Sequence, residues 1–239
     1  MARDHQASIE APPGRTPGWQ PLHETDPPVP NRSMETADGD VNETGTTIVA
    51  LQTAESVVLA ADRRASLGGR FVTNKRVQKI EDVHPTAALA LSGAVGHIQR
   101  FTRMLRAEAA LYEQRRDDRM SIDALSTLAG NVLGSMPLYV SPLLGGVDEQ
   151  GPHVITLDGG GGVLSDTYAA GGSGMQVAYG LLERQYEVGL SIEDAQSVAG
   201  RAIEGATERD TASGNGLTVA TVTDEGVDID EYDDIEAVI

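Results

Sequence analysis

The chain has 239 residues, enough for one sizeable domain and a tail, and its 40% of apolar residues is normal for a globular protein. Its 36 acidic residues outnumber its 18 basic ones, and a formal net charge of −18 excludes nucleic acid as an expected partner because phosphate backbones are repelled. We expect a cytoplasmic protein without a membrane partner, since no run approaches the roughly 20 apolar residues of a membrane span, no secretory signal opens the chain and cysteine is absent.

Residues 1–45 differ in composition from the rest of the chain. They contain seven prolines, scattered Asp, Glu, Thr and Gly, and few large apolar side chains. Such a segment buries too little surface to offset the entropy lost on ordering. We therefore predict a disordered tail over residues 1–45 and a folded domain over residues 46–239.

Strands and helices follow this boundary in blocks. The β-rich runs Thr47–Thr53 and Ser56–Asp62 flank a short turn and predict a hairpin, and Thr86–Ser92 predicts a third strand. Apolar residues at helical spacing then predict two helices, of which the second is capped by Ser121. The later predicted elements are strands over Leu143–Asp148, His153–Asp158 and Tyr168–Gly171, a turn at Gly159–Gly162, helices over Met175–Tyr186 and after the Ser191 cap, and strands over Leu217–Val222 and Val227–Ile229.

The order of these blocks indicates an α+β fold rather than alternating βαβ units. Several predicted strands, including Thr47–Thr53 and Thr86–Ser92, are apolar on both faces, so their sheets must be covered on both sides. Two sheets packed together with a pair of helices on each outer face satisfy this requirement. We therefore predict a four-layer αββα sandwich.

The boundary between tail and domain has the sequence Thr44-Gly45-Thr46-Thr47. Cleavage after Gly45 would make Thr46 the new N-terminus and place an α-amine beside its hydroxyl. An α-amine has a pKa of about 8 and can accept the hydroxyl proton, whereas a peptide nitrogen cannot. The tail is therefore expected to keep the site inactive until it is removed.

A nucleophile of this kind needs a nearby cation, to support developing negative charge, and an acid that holds the cation. Lys79 is one of only two lysines in a chain that otherwise uses arginine, and the compact lysine charge suits a tight site. Asp62 ends the second strand, beside the start of its predicted hairpin partner. We predict that both lie next to Thr46.

The spaced segments around these residues resemble the β subunits of proteasomes. Gly45-Thr46-Thr47-Ile48-Val49-Ala50 is similar to the processing site of that family, and Asp62-Arg63-Arg64 to its Asp-Arg-Arg segment. Lys79 matches the catalytic lysine once a one-residue insertion near Gly68-Gly69 is allowed. The other matches, in order along residues 46–239, are Leu91-Ser92-Gly93, Gly172-Ser173-Gly174 and Arg209-Asp210-Thr211-Ala212-Ser213-Gly214, the last in its archaeal form.

The resemblance implies a threonine endopeptidase with the N-terminal-nucleophile hydrolase fold. Thr46 would attack the substrate carbonyl and form an acyl-enzyme, which water then hydrolyses. Lys79 would tune the nucleophile, Asp62 would orient Lys79, and the Gly93 N–H would bind the oxyanion. The remaining implied positions are Ser173, Asp210 and Ser213 around the amine, and Ala65, Ser66, Val77, Leu91 and Val95 around a largely apolar substrate pocket that favours cleavage after large apolar residues.

The same resemblance implies partners and processing. The subunit would remove its own tail after Gly45 and sit with α subunits and other β subunits in stacked heptameric rings, fed with unfolded protein by an AAA-type ATPase. No metal or cofactor is expected, because no histidine or carboxylate cluster has metal-ligand spacing. The acidic composition is interpreted as a surface adapted to a high-salt cytoplasm.

Two alternatives remain open at this stage. A non-catalytic ring subunit would typically have lost the threonine or the lysine, whereas Thr46, Asp62 and Lys79 are all present here. A different N-terminal-nucleophile enzyme, acting on small amides, would not form a closed cylinder with a partner ring.

Overall fold

A computed structural model of the chain describes residues 43–239. Residues 1–42 of the predicted tail lie outside the described residues. Its last part differs from the prediction of disorder, because Glu43–Thr44 forms a short strand, β1, paired with a later strand of the domain. None of the described helices is long and apolar enough to cross a membrane.

The remaining elements follow the predicted order of strand and helix blocks. The strands are β2 (Thr47–Gln52), β3 (Val57–Asp62), β4 (Ala65–Leu67), β5 (Phe71–Asn74), β6 (Ile80–His84), β7 (Ala87–Ala94), β8 (Val140–Asp148), β9 (Gly151–Leu157), β10 (Val163–Asp166), β11 (Tyr168–Gly172), β12 (Leu217–Val222) and β13 (Val227–Tyr232). The helices are α1 (Val95–Arg116), α2 (Ile122–Ser135), α3 (Met175–Gln185) and α4 (Ile192–Thr207), followed by a short 3₁₀ turn at Ile235–Ala237.

The strands form two main antiparallel sheets. One has the order β1-β7-β8-β9-β10, with β6 also paired to β7, and the other has the order β11-β2-β3-β12-β13. A separate hairpin consists of β4 and β5. The predicted β2–β3 hairpin is therefore at the centre of the second sheet.

Three apolar layers hold these elements together. Ile48, Leu59 and Leu143 belong to the layer between the two sheets. A second layer packs α1 and α2 against the outer face of the first sheet, and a third packs α3 and α4 against the outer face of the second. This arrangement confirms the α+β prediction and the four-layer αββα sandwich.

Local helix signals are confirmed where a side chain caps the first turn. Ser121 Oγ accepts a hydrogen bond from Ala124 N at 3.3 Å, and Ser191 Oγ accepts one from Asp194 N at 3.1 Å. α1 has no such cap and continues directly from β7. It ends at Asp117, which adopts the left-handed conformation with φ 51°.

Four strands of the folded domain were not predicted from the sequence. They are β4, β5, β6 and β10, and none of them has a long buried run. All four residues of β10 are exposed, and three of the four in β5 are exposed. Apolar patterning therefore gave no signal for these two strands, because strand pairing rather than burial holds them in place.

Candidate active site

The hairpin register brings Asp62 beside the start of β2. Ile48 pairs with Ala61, so Thr47 lies opposite Asp62. Thr47 N donates to Asp62 Oδ1 at 2.9 Å. Thr46 directly precedes β2 and is 1% exposed.

Lys79 reaches the same point from the segment before β6. Its Nζ lies 2.8 Å from Asp62 Oδ1 and donates to the carbonyl oxygen of Gly45 at 3.3 Å. The backbone of Lys79 is held by Leu91 N, which donates to Lys79 O at 2.8 Å. The structure therefore brings Lys79, Asp62 and the bond between Gly45 and Thr46 together.

The Asp62 carboxylate is fully enclosed by donors. Oδ1 accepts from Thr47 N and Lys79 Nζ, whereas Oδ2 accepts from Arg64 N at 3.0 Å and from Gly214 N at 2.8 Å. Burial raises the pKa of this carboxyl above its ordinary value, against the lowering effect of the Lys79 charge and of the backbone donors. Asp62 is thus fixed in position by four contacts.

Burial also changes the acidity of Lys79. It lowers the pKa of the ammonium below its ordinary value, and the Asp62 carboxylate opposes this shift. A lysine of lowered pKa gives up its proton more readily than one in water. The Asp62 carboxylate therefore favours the charged form of Lys79 against the effect of burial.

A second polar group surrounds the nitrogen of Thr46. Thr46 N donates to Ser173 Oγ at 3.1 Å, and Ser173 Oγ donates to Asp210 Oδ2 at 2.6 Å. Ser213 Oγ donates to the same Asp210 oxygen at 2.6 Å and lies 2.8 Å from Thr47 Oγ1. Ser173, Asp210 and Ser213 therefore form one connected network at the future amine.

Gly93 lies near the end of β7, where a side chain has no room. Its φ is +134°, and a Cβ there would lie 2.1 Å from the carbonyl oxygen of Tyr139. Gly93 is also the residue of β7 that pairs with Thr44 of β1. The backbone of Gly93 therefore lies beside the residues that precede Thr46.

Part of this site borders an open cavity of about 670 Å³. Its lining includes Gly45, Gly93, Ser173 and Asp210, together with residues from neighbouring turns and from the start of β8. These further residues are Gly68, Gly69, Leu138, Tyr139, Val140, Ser141, Asp158, Gly159, Thr211 and Ala212.

The residues predicted for the substrate pocket are not part of that lining. Ala65 and Ser66 are buried in β4, and Val77 is half-buried, with its N–H donating to Arg63 O at 3.0 Å. Leu91 is 1% exposed in the layer between the first sheet and helices α1 and α2, whereas Val95 is 42% exposed at the start of α1. The pocket assignment stays a prediction.

Sequence reasoning missed two contributors to the site. Arg64 holds the turn after α4, because its Nε donates to Asn215 Oδ1 and its Nη1 to Thr211 O, both at 2.9 Å. Asp158 lines the cavity and organises the β9–β10 turn by accepting from the N–H groups of Gly160 and Gly162. The Gly159–Gly162 run signalled that turn, but nothing in the sequence placed it near Thr46.

Within residues 43–239 no group of three or more histidine and acidic side chains could hold a metal ion.

Comparison with known proteins identifies this arrangement. The family model described as proteasome subunit matches residues 42–222. Proteasome subunit beta 2 of Haloterrigena turkmenica is 59% identical, over 88% of this chain and 90% of the relative. Proteasome subunit beta of Halorhabdus utahensis is 57% identical, over 88% and 92% of the two chains, and proteasome subunit beta 2 of Haloarcula marismortui is 54% identical, over 87% and 91%. The chain therefore belongs to the proteasome subunit family, and within it to the β subunits.

Proposed function

We propose that this β subunit is catalytic and that Thr46, once freed, is the nucleophile of a threonine endopeptidase. The observation that carries the proposal is the position of the Gly45–Thr46 bond. Its carbonyl oxygen lies 3.3 Å from Lys79 Nζ, and its nitrogen donates to Ser173 Oγ at 3.1 Å. The Gly45 carbonyl, which the nucleophile would attack, is thus paired with a cation. The Thr46 nitrogen, which would become the amine, is paired with a hydroxyl.

The first reaction of the site would be cleavage of its own tail. Thr46 Oγ adds to the Gly45 carbonyl carbon, the carbon–nitrogen bond breaks, and the nitrogen becomes the free amine of Thr46. Water then hydrolyses the resulting ester and releases residues 1–45 as a carboxylic acid. The Lys79 ammonium stabilises negative charge on the carbonyl oxygen, and the Gly93 N–H is the second donor proposed for that oxygen.

The mature site would use the new amine as a base. It takes the proton from Thr46 Oγ as that oxygen attacks a peptide carbonyl, and it returns the proton to the leaving nitrogen. Ser173, which is hydrogen-bonded to Asp210, fixes the direction of the amine. Asp62 holds the Lys79 ammonium beside the Gly45 carbonyl through the 2.8 Å contact.

The substrates would be unfolded polypeptides cut mainly after large apolar residues. Membership of the family implies stacked rings with other proteasome subunits, and we propose α-subunit rings and an AAA-type ATPase as the further partners in the cytoplasm. A chamber of this kind admits only unfolded chains. The expected preference for an apolar residue before the cut rests on the resemblance, which assigns Ala65, Val77, Leu91 and Val95 to the substrate pocket, and not on the lining of the cavity described above.

The decisive experiment compares the intact masses of the wild type and Thr46→Ala after assembly with the α subunit. The wild-type chain should begin at Thr46 and hydrolyse peptides, whereas the variant should assemble, retain residues 1–45 and show no peptidase activity. Trimming of Thr46→Ala at the same bond, without active neighbours, would show that another protease removes the tail. A particle that assembles but has no activity when it is processed would indicate a non-catalytic subunit.

A further inference from the structure

Gly45 occupies a position with no space for a side chain. A Cβ built on Gly45 would lie 1.8 Å from the Cβ of Ala212 and 3.0 Å from its Cα, and contacts under 3.0 Å are essentially never seen for real Cβ atoms. The next nearest atom, Ser66 Oγ, would be 3.1 Å away. The Ala212 methyl group is therefore the main obstacle.

The backbone conformation of Gly45 does not itself require glycine. Its φ lies outside the positive range that disfavours side chains, unlike that of Gly93 at +134° or Gly172 at +83°. Alanine could adopt the same φ at residue 45 without intrinsic strain. The need for glycine at this position thus comes from a neighbouring residue.

Ala212 is fixed between residues of the active site. It is 4% exposed, and its N–H donates to Asp210 Oδ1 at 3.1 Å. Its turn is tied down on one side by Arg64, which donates to Thr211 O, and by Thr211 Oγ1, which donates to Gly69 O at 3.0 Å. Displacing the methyl group would move Asp210 and the adjacent Ser213, both of which belong to the network around Thr46.

We infer that Ala212 determines which residue can precede the bond that the precursor cuts in itself. The methyl group selects glycine, because any Cβ at residue 45 would push the Gly45 carbonyl away from Lys79 and from Thr46. The inference rests on the proposed self-cleavage and assigns Ala212 a positioning role in it.

The restriction applies to the tail and not to peptide substrates. Residues 43–45 are covalently attached to Thr46, and Thr44 is paired with Gly93, so the position of residue 45 is fixed at both ends. A free peptide has no bond to Thr46 and can place its residue before the cut so that the side chain points away from Ala212. Self-cleavage should therefore be strict about residue 45 in an enzyme that accepts large side chains in substrates.

The test measures the rate of self-cleavage by intact mass in four precursors assembled with the α subunit. Gly45→Ala should slow cleavage by about a hundredfold, because displacements near 1 Å at a reacting atom have effects of that size. Ala212→Gly should cleave normally, and the double variant Gly45→Ala with Ala212→Gly should recover most of the lost rate. The matched control is Gly45→Ala with Ala212→Ser, which changes the same residue but keeps its Cβ, and it should stay slow.

Each outcome of this test either supports or contradicts the role assigned to Ala212. Normal cleavage of Gly45→Ala, or equal rescue by Ala212→Ser, would overturn it. A slow Ala212→Gly precursor, or a double variant as slow as Gly45→Ala, would also overturn it, since the methyl group is assigned no other part in the reaction. Failure of the proposed function gives a different result in the same assay, because either the wild-type precursor would keep its tail or the Thr46→Ala precursor would lose it.

Discussion

Two ion pairs of nearly equal length lie in opposite surroundings in this subunit. Lys79 Nζ and Asp62 Oδ1 are 2.8 Å apart, with side chains 3% and 0% exposed, whereas Arg76 Nη2 and Asp233 Oδ2 are 3.0 Å apart, with side chains 71% and 68% exposed. Water and salt screen the exposed pair, so it contributes little to stability. The buried pair is shielded from both.

The comparison teaches that the length of an ion pair does not reveal its role. Burying Lys79 and Asp62 requires removal of their water, and their mutual attraction together with the additional donors around Asp62 compensates for this. An apolar pair of the same volume would serve stability equally well. The buried charges are therefore best explained by the reaction at Gly45 and Thr46, and the following predictions test this contrast in order of expected effect.

Removing one member of the buried pair should have the largest effect on folding. Asp62→Asn should lower the free energy of unfolding by about 3–5 kcal/mol, because the Lys79 charge is left buried without its partner. Urea denaturation of the unassembled precursor measures this, with Arg76→Ala as the exposed control, because within the described residues Arg76 forms an ion pair with Asp233 alone. Equal losses in the two variants would contradict the contrast.

The same Asp62→Asn variant should also shift the dependence of activity on pH. The Asp62 charge raises the pKa of Lys79 against the effect of burial, so its removal lowers that pKa further. The ammonium is then lost at a lower pH, and the alkaline limb of the kcat/KM profile should move to lower pH. If the residual activity of the variant shows an unchanged alkaline limb, the ionisation of Lys79 does not control the rate.

Removing the cation itself should strongly reduce turnover, and it should also destabilise the fold because the Asp62 carboxylate is left buried without its partner. Lys79→Ala should reduce kcat by roughly 10²–10³, the usual loss when a donor to developing charge is removed. Lys79→Arg should be nearly as slow, since the planar guanidinium does not fit the space that Nζ occupies between Asp62 and the Gly45 carbonyl. The exposed Lys75→Arg is the control and should be almost silent.

Substrate preference tests the same contrast between buried and exposed charges with a charged side chain that belongs to the substrate. An arginine before the cut would be buried without a partner, whereas a leucine, phenylalanine or tyrosine would gain roughly 1.5–3 kcal/mol on burial. Values of kcat/KM for peptides that differ only at this residue should therefore favour the apolar side chains by about tenfold to a hundredfold. Faster cleavage after arginine would refute the pocket, but not the role of Thr46.

The exposed pair should give the smallest effect. Arg76→Ala should change the free energy of unfolding by about 0–1 kcal/mol, and less in molar salt.

Screening should act mainly on the assembly, because each subunit carries a formal charge of −18 and neighbours repel one another at low ionic strength. Sedimentation at falling salt should reveal dissociation of the particle, and stable cylinders in dilute buffer would contradict the interpretation of the acidic surface.

The sequence predicted those parts of the site that depend on regular structure. Asp62 could be placed beside Thr46 because hairpin register is local, and Lys79 was distinguished by its rarity in an arginine-rich chain. The contributions of Tyr139, Asp158 and Ala212 could not be found, because they come from turns whose positions depend on the packing of whole layers. Exposed strands such as β10 were missed for a related reason, since they lack the apolar alternation that burial produces.

The pairing of β1 with β7 has a consequence for the timing of activity. Glu43 and Thr44 lie opposite Ala94 and Gly93, on the strand edge that runs past the Gly45 carbonyl. Because this short strand is joined to Thr46, its effective concentration at that edge is on the order of millimolar or higher, and a free peptide must compete with it. The proposed cleavage after Gly45 would turn this tethered competitor into a dilute product, so each subunit would exclude foreign chains until its own tail is removed.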